Sequence, residues 1–254
     1  MRIIAIDFGN SSTKMALYEN VTMVSGVVRL SGDSDEEVSG VLQMVREWSK
    51  DDVVSLWYSS VVTRSEKIVG ALKQEFGEVR DVRSHCPFRI EYATPETLGM
   101  DRIAAVAGAI QKFGLDENYL VIDVGTAITY DVYRASDRTY CGGNIAPGVS
   151  MRLRALHEYT SRLPLVEVQA SVECEKIQMG KSTEEALLQG VLQGVRLEIQ
   201  GYIEELRRQF DERLVVILTG NDNKYFQISR NCRTFVLPNL VLDGVVSIAL
   251  SNRL

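Results

Sequence analysis

The chain has 254 residues, 45% of them hydrophobic and 24% charged, with a net charge of −6. This is the composition of a globular protein, and the length suits one large domain or two of moderate size. The acidic total weighs against nucleic acid as a partner, because neutralising phosphates needs a basic footprint, but a small anionic ligand needs only a local set of donors.

In chain order, strands are expected at Arg2–Asp7, Thr13–Glu19 and Val21–Leu30. A helix follows at Glu36–Ser49, with Val38, Val41, Leu42, Val45 and Trp48 on one face. Val53–Val62 reads as a buried strand and Arg64–Phe76 as an amphipathic helix, while Glu78–Arg83 and Phe88–Tyr92 read as short extended pieces. Pro95 and Glu96 open a helix that runs to Gly114. The pattern then restarts with strands at Tyr119–Val124, Ala127–Arg134 and Thr139–Ile145. A helix after Pro147-Gly148 takes in Leu153 and Leu156, and Thr183 heads a long helix to about Phe210. Strands at Leu214–Thr219 and Arg233–Val236 and a helix around Leu240–Leu250 close the chain. Meandering strands followed by alternating helices and strands, twice over, give an α/β protein with mixed sheets. The boundary falls near Gly114–Glu117, dividing the chain into domains 1–114 and 115–254.

The four cysteines (Cys86, Cys141, Cys174 and Cys232) are widely spaced, which points to reduced, mostly buried thiols rather than to zinc or a disulfide scaffold. His85 and His157 lie in no ligand-spaced cluster. The first residues do not read as a signal peptide, and no segment approaches the roughly 20 apolar residues of a membrane span. The expectation is a cytoplasmic enzyme or binding protein.

Two short stretches carry the chemistry. "IDFGNSSTK" and "VIDVGTAITY" each interrupt a strand pair with Asp-x-Gly followed by Asn or Thr. Placing Asp7 on Asp123 also aligns Gly9 with Gly125, Asn10 with Thr126, Thr13 with Thr129 and Lys14 with Tyr130, the mark of a duplicated domain. Glycine lets the backbone turn sharply beside a ligand, and the turn amides form an anion nest. The Asp can orient a hydrated Mg²⁺ or hold another cation through oxygen, and Lys14 adds positive charge. Two such bends across a cleft would hold a polyphosphate; a single Asx-type hairpin would need no ligand. "YATPETLGMDR" sets Asp101 and Arg102 at the mouth of an apolar helix, where Asp can accept a hydroxyl proton and Arg can bind a carboxylate. The alternative there is a solvated charged patch. "CGGNIAPGVSMR" opens a helix whose amides can hold an anion. "GKST", Gly180–Thr183, is not a P-loop, since Glu175 stands where that motif needs glycine; Ser182 or Thr183 is a helix N-cap instead.

Together "DFGNSSTK", "LGMDR", "DVGTAITYD", "GGNIAPG" and "GKSTEEA" closely resemble type III pantothenate kinases, in that family's order, from residue 7 to 186. The resemblance implies two duplicated actin-like, ribonuclease H-like domains with mixed sheets flanking a central cleft. It also implies transfer of phosphate from ATP to pantothenate. By the same resemblance, Asp7, Gly9, Asn10, Ser11, Ser12, Thr13 and Lys14 form the first phosphate loop. Thr126 binds an ATP phosphate, and Asp123 a monovalent cation, potassium or ammonium. Asp101 accepts the hydroxyl proton, and Tyr92, Gly99, Met100, Asp101, Arg102 and Thr183 hold pantothenate. The family's members are homodimers without coenzyme A feedback. The family usually shows Gly-Gly where this chain has Gly220-Asn221, which adds a side chain near the expected adenosine pocket. The apolar face Leu187, Leu188, Val191, Leu192 and Val195 is a candidate dimer surface that could equally pack internally. The competing readings are another small-molecule kinase or phosphatase of the superfamily, a non-catalytic nucleotide-dependent regulator, and a purely structural α/β protein.

Overall fold

The computed structural model describes residues 1–31, 34–50, 53–169, 177–210, 213–226 and 233–252. Its strands are β1 (Arg2–Phe8), β2 (Thr13–Glu19), β3 (Thr22–Met23), β4 (Val28–Leu30), β5 (Val54–Ser60), β6 (Val79–Asp81), β7 (Arg89–Ile90), β8 (Asn118–Val124), β9 (Ala127–Arg134), β10 (Thr139–Pro147), β11 (Leu214–Thr219) and β12 (Arg233–Val236). The helices are α1 (Ser34–Trp48), α2 (Ser65–Phe76), α3 (Met100–Phe113), α4 (Val149–Glu158), α5 (Thr183–Gln209) and α6 (Leu240–Ser251). Cys174, Cys232 and Glu175 lie outside the described residues. Two compact units result: residues 1–115, 138–140 and 239–254 form one, and residues 116–137 and 141–238 the other.

In the first unit the strand order is β3-β2-β1-β5-β6, with β4 also on β2. β1 runs antiparallel to β2 and parallel to β5. Six of its residues, Ile3 to Phe8, are buried, as a central strand covered on both faces requires. Ile4, Ile6 and Phe8 share a core with Val41 and Val45 of α1 and Ile68 and Leu72 of α2. Side chains alternate along a strand, so Ile3, Ala5 and Asp7 point to the other face, where α6 packs on β1 and α3 on β5. This alternation later decides which residues of the first bend can meet a ligand.

α6 follows the second half in sequence but is grouped with the first unit. Small residues allow it to cross α3 at close range: a Cβ on Gly244 would run into the Ala104 carbonyl, and one on Gly108 into the Leu240 carbonyl. The Tyr18 hydroxyl donates to Asp243 Oδ1 at 2.7 Å and ties α6 to β2. Burial raises the Asp243 carboxyl above the usual range, against the opposing pull of Tyr18 and Lys112.

Two expected elements are broken up. Val21–Leu30 is not one strand, because the Ser25 hydroxyl accepts the Leu17 N–H at 2.9 Å and interrupts the ladder between β3 and β4. The helix expected from Pro95 is a single 3-10 turn, Pro95–Thr97, followed by extended Leu98 and Gly99; α3 starts afresh at Met100.

The second unit repeats the order, β12-β11-β8-β9-β10, with β8 in the place of β1 and β11 in that of β5. Thr139 and Tyr140 at the start of β10 pair with β7 and are counted with the first unit. Leu120, Ile122 and Val124 of β8 pack with Leu187, Val191, Leu192 and Val195 of α5 and with Val149 and Leu153 of α4. The apolar face of α5 is therefore used inside its own unit.

Gly244→Ala should lower stability by about 1–3 kcal/mol, the usual cost of overpacking a tight contact. The midpoint of a urea unfolding curve reads this directly, and an unmoved midpoint would mean the crossing relaxes freely.

Candidate functional site

The first bend sits at the carboxyl end of β1. Asp7 is 7% exposed and is paired across the sheet with Lys14 on β2 and Ser59 on β5. Paired residues share a face, so Lys14 lies on the side of Asp7. Thr13 is paired with Phe8 and points to the α1 side instead. It is fully buried, and its hydroxyl donates to Glu37 Oε1 at 2.5 Å. Thr13, expected as part of the phosphate loop, thus braces the bend from below. Gly9 N–H donates to the Ser12 carbonyl at 3.2 Å, and Asn10 and Ser11 are exposed at the tip.

The start of α3 lies at the same end of the first unit. Val61, just past β5, donates its N–H to the Phe8 carbonyl at 3.3 Å, and Gly99 lies beside Val61. Carboxyl ends of parallel strands are where open α/β sheets take their ligands. Asp101, half-buried, stands in the first turn of α3, where the helix dipole favours negative charge. Its Oδ1 accepts the Arg102 backbone N–H at 2.8 Å, which fixes the carboxylate. Arg102 is only 4% exposed, so its guanidinium is enclosed rather than part of a solvated patch. Arg83 donates to the carbonyls of Glu96 (2.5 Å) and Leu98 (2.8 Å) and holds the approach to Gly99 and Met100. Tyr92, half-buried, lies 6.4 Å from the ring of Tyr140.

The second bend is shorter. Four residues separate the last pair Phe8 and Thr13, but three separate Val124 and Ile128. Asp123 is therefore paired with Thr129, as Asp7 is with Lys14. The repeat holds through the first strand and slips by one after the turn: Thr129 is the counterpart of Lys14, and Ile128 that of Thr13. Thr126 is exposed at the tip. Gly148 packs on this bend so closely that a Cβ there would run into the Gly125 and Thr126 carbonyls, and its N–H donates to the Thr126 carbonyl at 3.1 Å. The amino end of α4 is thereby brought against the bend. Behind it, Arg152 donates to the Pro147 carbonyl and to Glu198, each at 2.7 Å, and Tyr130 donates to the other oxygen of Glu198 at 2.7 Å.

On its other side the bend meets Gly220, whose φ of +90° suits glycine. A Cβ there would run into Asp123 Oδ1 and the Val124 carbonyl, so a carboxylate and a carbonyl oxygen converge at this point. Asn221 is exposed and is not among the positive-φ residues, so no second glycine is required by the backbone. Asp222 donates its N–H to the Val124 carbonyl at 2.9 Å, and burial raises its carboxyl above the usual range. Among the described residues no group of three or more His, Cys, Asp or Glu is gathered for a metal. The donors around Asp123 are oxygens, which fit a hard cation rather than a transition metal.

Ser182 is the N-cap of α5: its hydroxyl accepts the Glu185 N–H at 3.2 Å, and Glu185 accepts the Lys181 N–H at 2.7 Å. Exposed Thr183 lines a cavity of about 840 Å³ in the second unit, together with Arg152, Tyr159 and Leu163. Cys86 and Cys141 are reduced thiols, only partly buried, and burial pushes the Cys86 thiol up to about 11. His85 and His157 each contact a backbone carbonyl, of Asp81 and Leu163. Sequence reasoning missed Glu37, Arg64, Arg83 and Glu198, whose partners are remote in the chain.

A duplicated α/β fold with an acidic bend at the end of each central strand, and a carboxylate at a neighbouring helix start, is an architecture suited to phosphoryl transfer, and the sequence relatives make it that of an ATP-dependent kinase. The model of the type III pantothenate kinase family matches residues 3–205. Similar proteins include type III pantothenate kinases of Christiangramia forsetii, 34% identical over 243 residues, and Bacteroides fragilis, 38% over 244, with 95% of both chains covered in each case. Among solved structures, a Campylobacter jejuni protein described as a candidate Baf family transcriptional activator covers 98% of both chains at 20% identity and a TM-score of 0.61, a likeness of fold. The chain belongs to the type III pantothenate kinase family.

Proposed function

We infer that the chain works as its family does, transferring the γ-phosphate of ATP to pantothenate to give 4′-phosphopantothenate, the first step of coenzyme A biosynthesis. Phosphoryl transfer passes through a loose transition state, so the protein's task is alignment and charge stabilisation. In this reading Gly9, Asn10, Ser11, Ser12 and Lys14 hold ATP phosphates with Asp7, and Thr126 contacts a phosphate at the second bend. Mg²⁺, when bound with ATP, neutralises developing charge on the phosphate oxygens.

Asp101 accepts the proton of the pantothenate hydroxyl, and Arg102 meets the pantothenate carboxylate. Two observations carry this assignment: the carboxylate is fixed by the Arg102 N–H in the first turn of α3, and Arg102 is enclosed. The planar guanidinium fork matches the geometry of a carboxylate. Tyr92, Gly99 and Met100 shape the same pocket, and Thr183 contacts pantothenate as the family likeness implies. Asp123 holds a potassium or ammonium ion through its carboxylate; the oxygen donors gathered at the second bend support this reading.

We further propose a cytoplasmic homodimer. With the inner face of α5 used in its own core, the exposed Ile145, Met151, Tyr159 and Leu197 of the second unit offer the apolar surface for a second copy. Among the described residues no helix is long and apolar enough to cross a membrane.

Asp101→Asn should lower turnover by about 10²–10⁴ in an ADP-release assay with pantothenate, the range for a lost general base; near-parental turnover would remove Asp101 from that role. Asp123→Asn should flatten the potassium titration of the same assay, and an identical titration would count against the cation site. Light scattering on the purified protein should give twice the chain mass, with activity in the unsedimented fraction of a lysate; a monomer, or activity in the membrane pellet, would overturn the respective proposal.

A further inference from the structure

A bend that binds phosphate through backbone amides works only if its peptide planes are turned the right way. In the first bend the carbonyls show what turns them. Arg64, just before α2, donates from Nη2 to the Gly9 carbonyl at 2.6 Å and from Nη1 to the Asn10 carbonyl at 3.5 Å. Its Nε donates to Glu37 Oε2 at 3.0 Å, and the other oxygen of Glu37 accepts the Thr13 hydroxyl. Glu37 is 3% exposed, so its carboxylate depends on these two partners. The whole guanidinium is thus shared between one buried carboxylate and the backbone of the bend.

In a trans peptide the C=O and the N–H of one unit point in opposite directions. With the Gly9 and Asn10 carbonyls drawn to Arg64, the N–H groups of Asn10 and Ser11 face away from it, at an exposed tip. The Gly9 N–H is held inward by Ser12. Thr13 anchors the returning strand to the same carboxylate.

We propose that Arg64 and Glu37 are positioning residues for ATP: they set the polarity of the first phosphate bend by holding its carbonyls, without touching the nucleotide. This rests on the reading that the first bend binds ATP phosphates. Lysine cannot substitute fully, because a single ammonium does not reproduce the planar fork that spans a carboxylate and two carbonyls.

The test is a pair of Michaelis curves, varying ATP and pantothenate in turn, on Arg64→Ala, Arg64→Lys, Glu37→Gln and Arg64→Ala/Glu37→Gln, with thermal melts alongside. Arg64→Ala should raise the KM for ATP about 10-fold to 100-fold, as misplaced binding groups do, and leave the KM for pantothenate within about twofold. Arg64→Lys should fall between it and the parent. Glu37→Gln should add nothing in the Arg64→Ala background, because the two act as one unit. An unchanged KM for ATP, or an equal rise in both KM values, overturns the proposal. If Arg64→Ala does not fold, Arg64→Lys decides by the same comparison. Titration of a non-hydrolysable ATP analogue with Mg²⁺ separates the two readings. A parent that binds the analogue without phosphorylating pantothenate overturns the kinase reading, and the variants' affinities for the analogue then judge the clamp. A parent that binds no analogue overturns both.

Discussion

A carboxylate at the carboxyl end of a strand buried on both faces is the constraint from which the rest of each unit follows. β1 and β8 are packed between helices or strands along nearly their whole length, so Asp7 and Asp123 are carried by backbone that has almost no freedom to shift. Rigid support of that kind suits phosphoryl transfer, where position matters more than covalent chemistry. The bends beyond the carboxylates are short polar loops, and short polar loops do not hold one shape unaided. Each unit therefore adds a brace from elsewhere in the chain.

The braces differ. The first bend is held by side chains, Arg64 and Glu37 with Thr13 beneath. The second is held by close backbone packing, with Gly148 on one side and Gly220 on the other, and an Arg152–Glu198–Tyr130 network keeps the Pro147 turn in place. A loop of four residues has room for a guanidinium to reach its carbonyls, whereas the tighter three-residue loop is covered directly by neighbouring main chain. Two equivalent hairpins are thus stabilised by two unrelated solutions.

The fold by itself does not fix the reaction. The Campylobacter jejuni neighbour shares the architecture at 20% identity, and folds of this type host many activities. What narrows this chain to one family is the sequence likeness, and what gives that likeness physical content is the start of α3. There an extended Leu98-Gly99 break lets Asp101 stand in a first turn instead of mid-helix. A continuous helix from Pro95, as the residue pattern suggests, would have placed Asp101 and Arg102 on a helix flank with no free end to favour the carboxylate.

The sequence by itself determined the duplication, both Asp-x-Gly bends, the strand that precedes each, an N-cap at Ser182 or Thr183 and nearly every helix. These follow from local propensity and from apolar periodicity, which are written into neighbouring residues. It also picked out Asp7, Asp101 and Asp123, because an acidic residue beside glycine or at a helix mouth is visible in one dimension. Tertiary structure alone decided that Thr13 turns inward while Lys14 shares the face of Asp7, since a one-residue difference in loop length changes the register after the turn and with it every side chain's face. It decided that α6 belongs with the first unit, through the Gly108–Gly244 crossing, and that the apolar face of α5 is used internally. It also brought Arg64 to Glu37 and Arg83 to Leu98, pairs far apart in the chain whose hydrogen bonds have no sequence signature because only the folded path sets their distance.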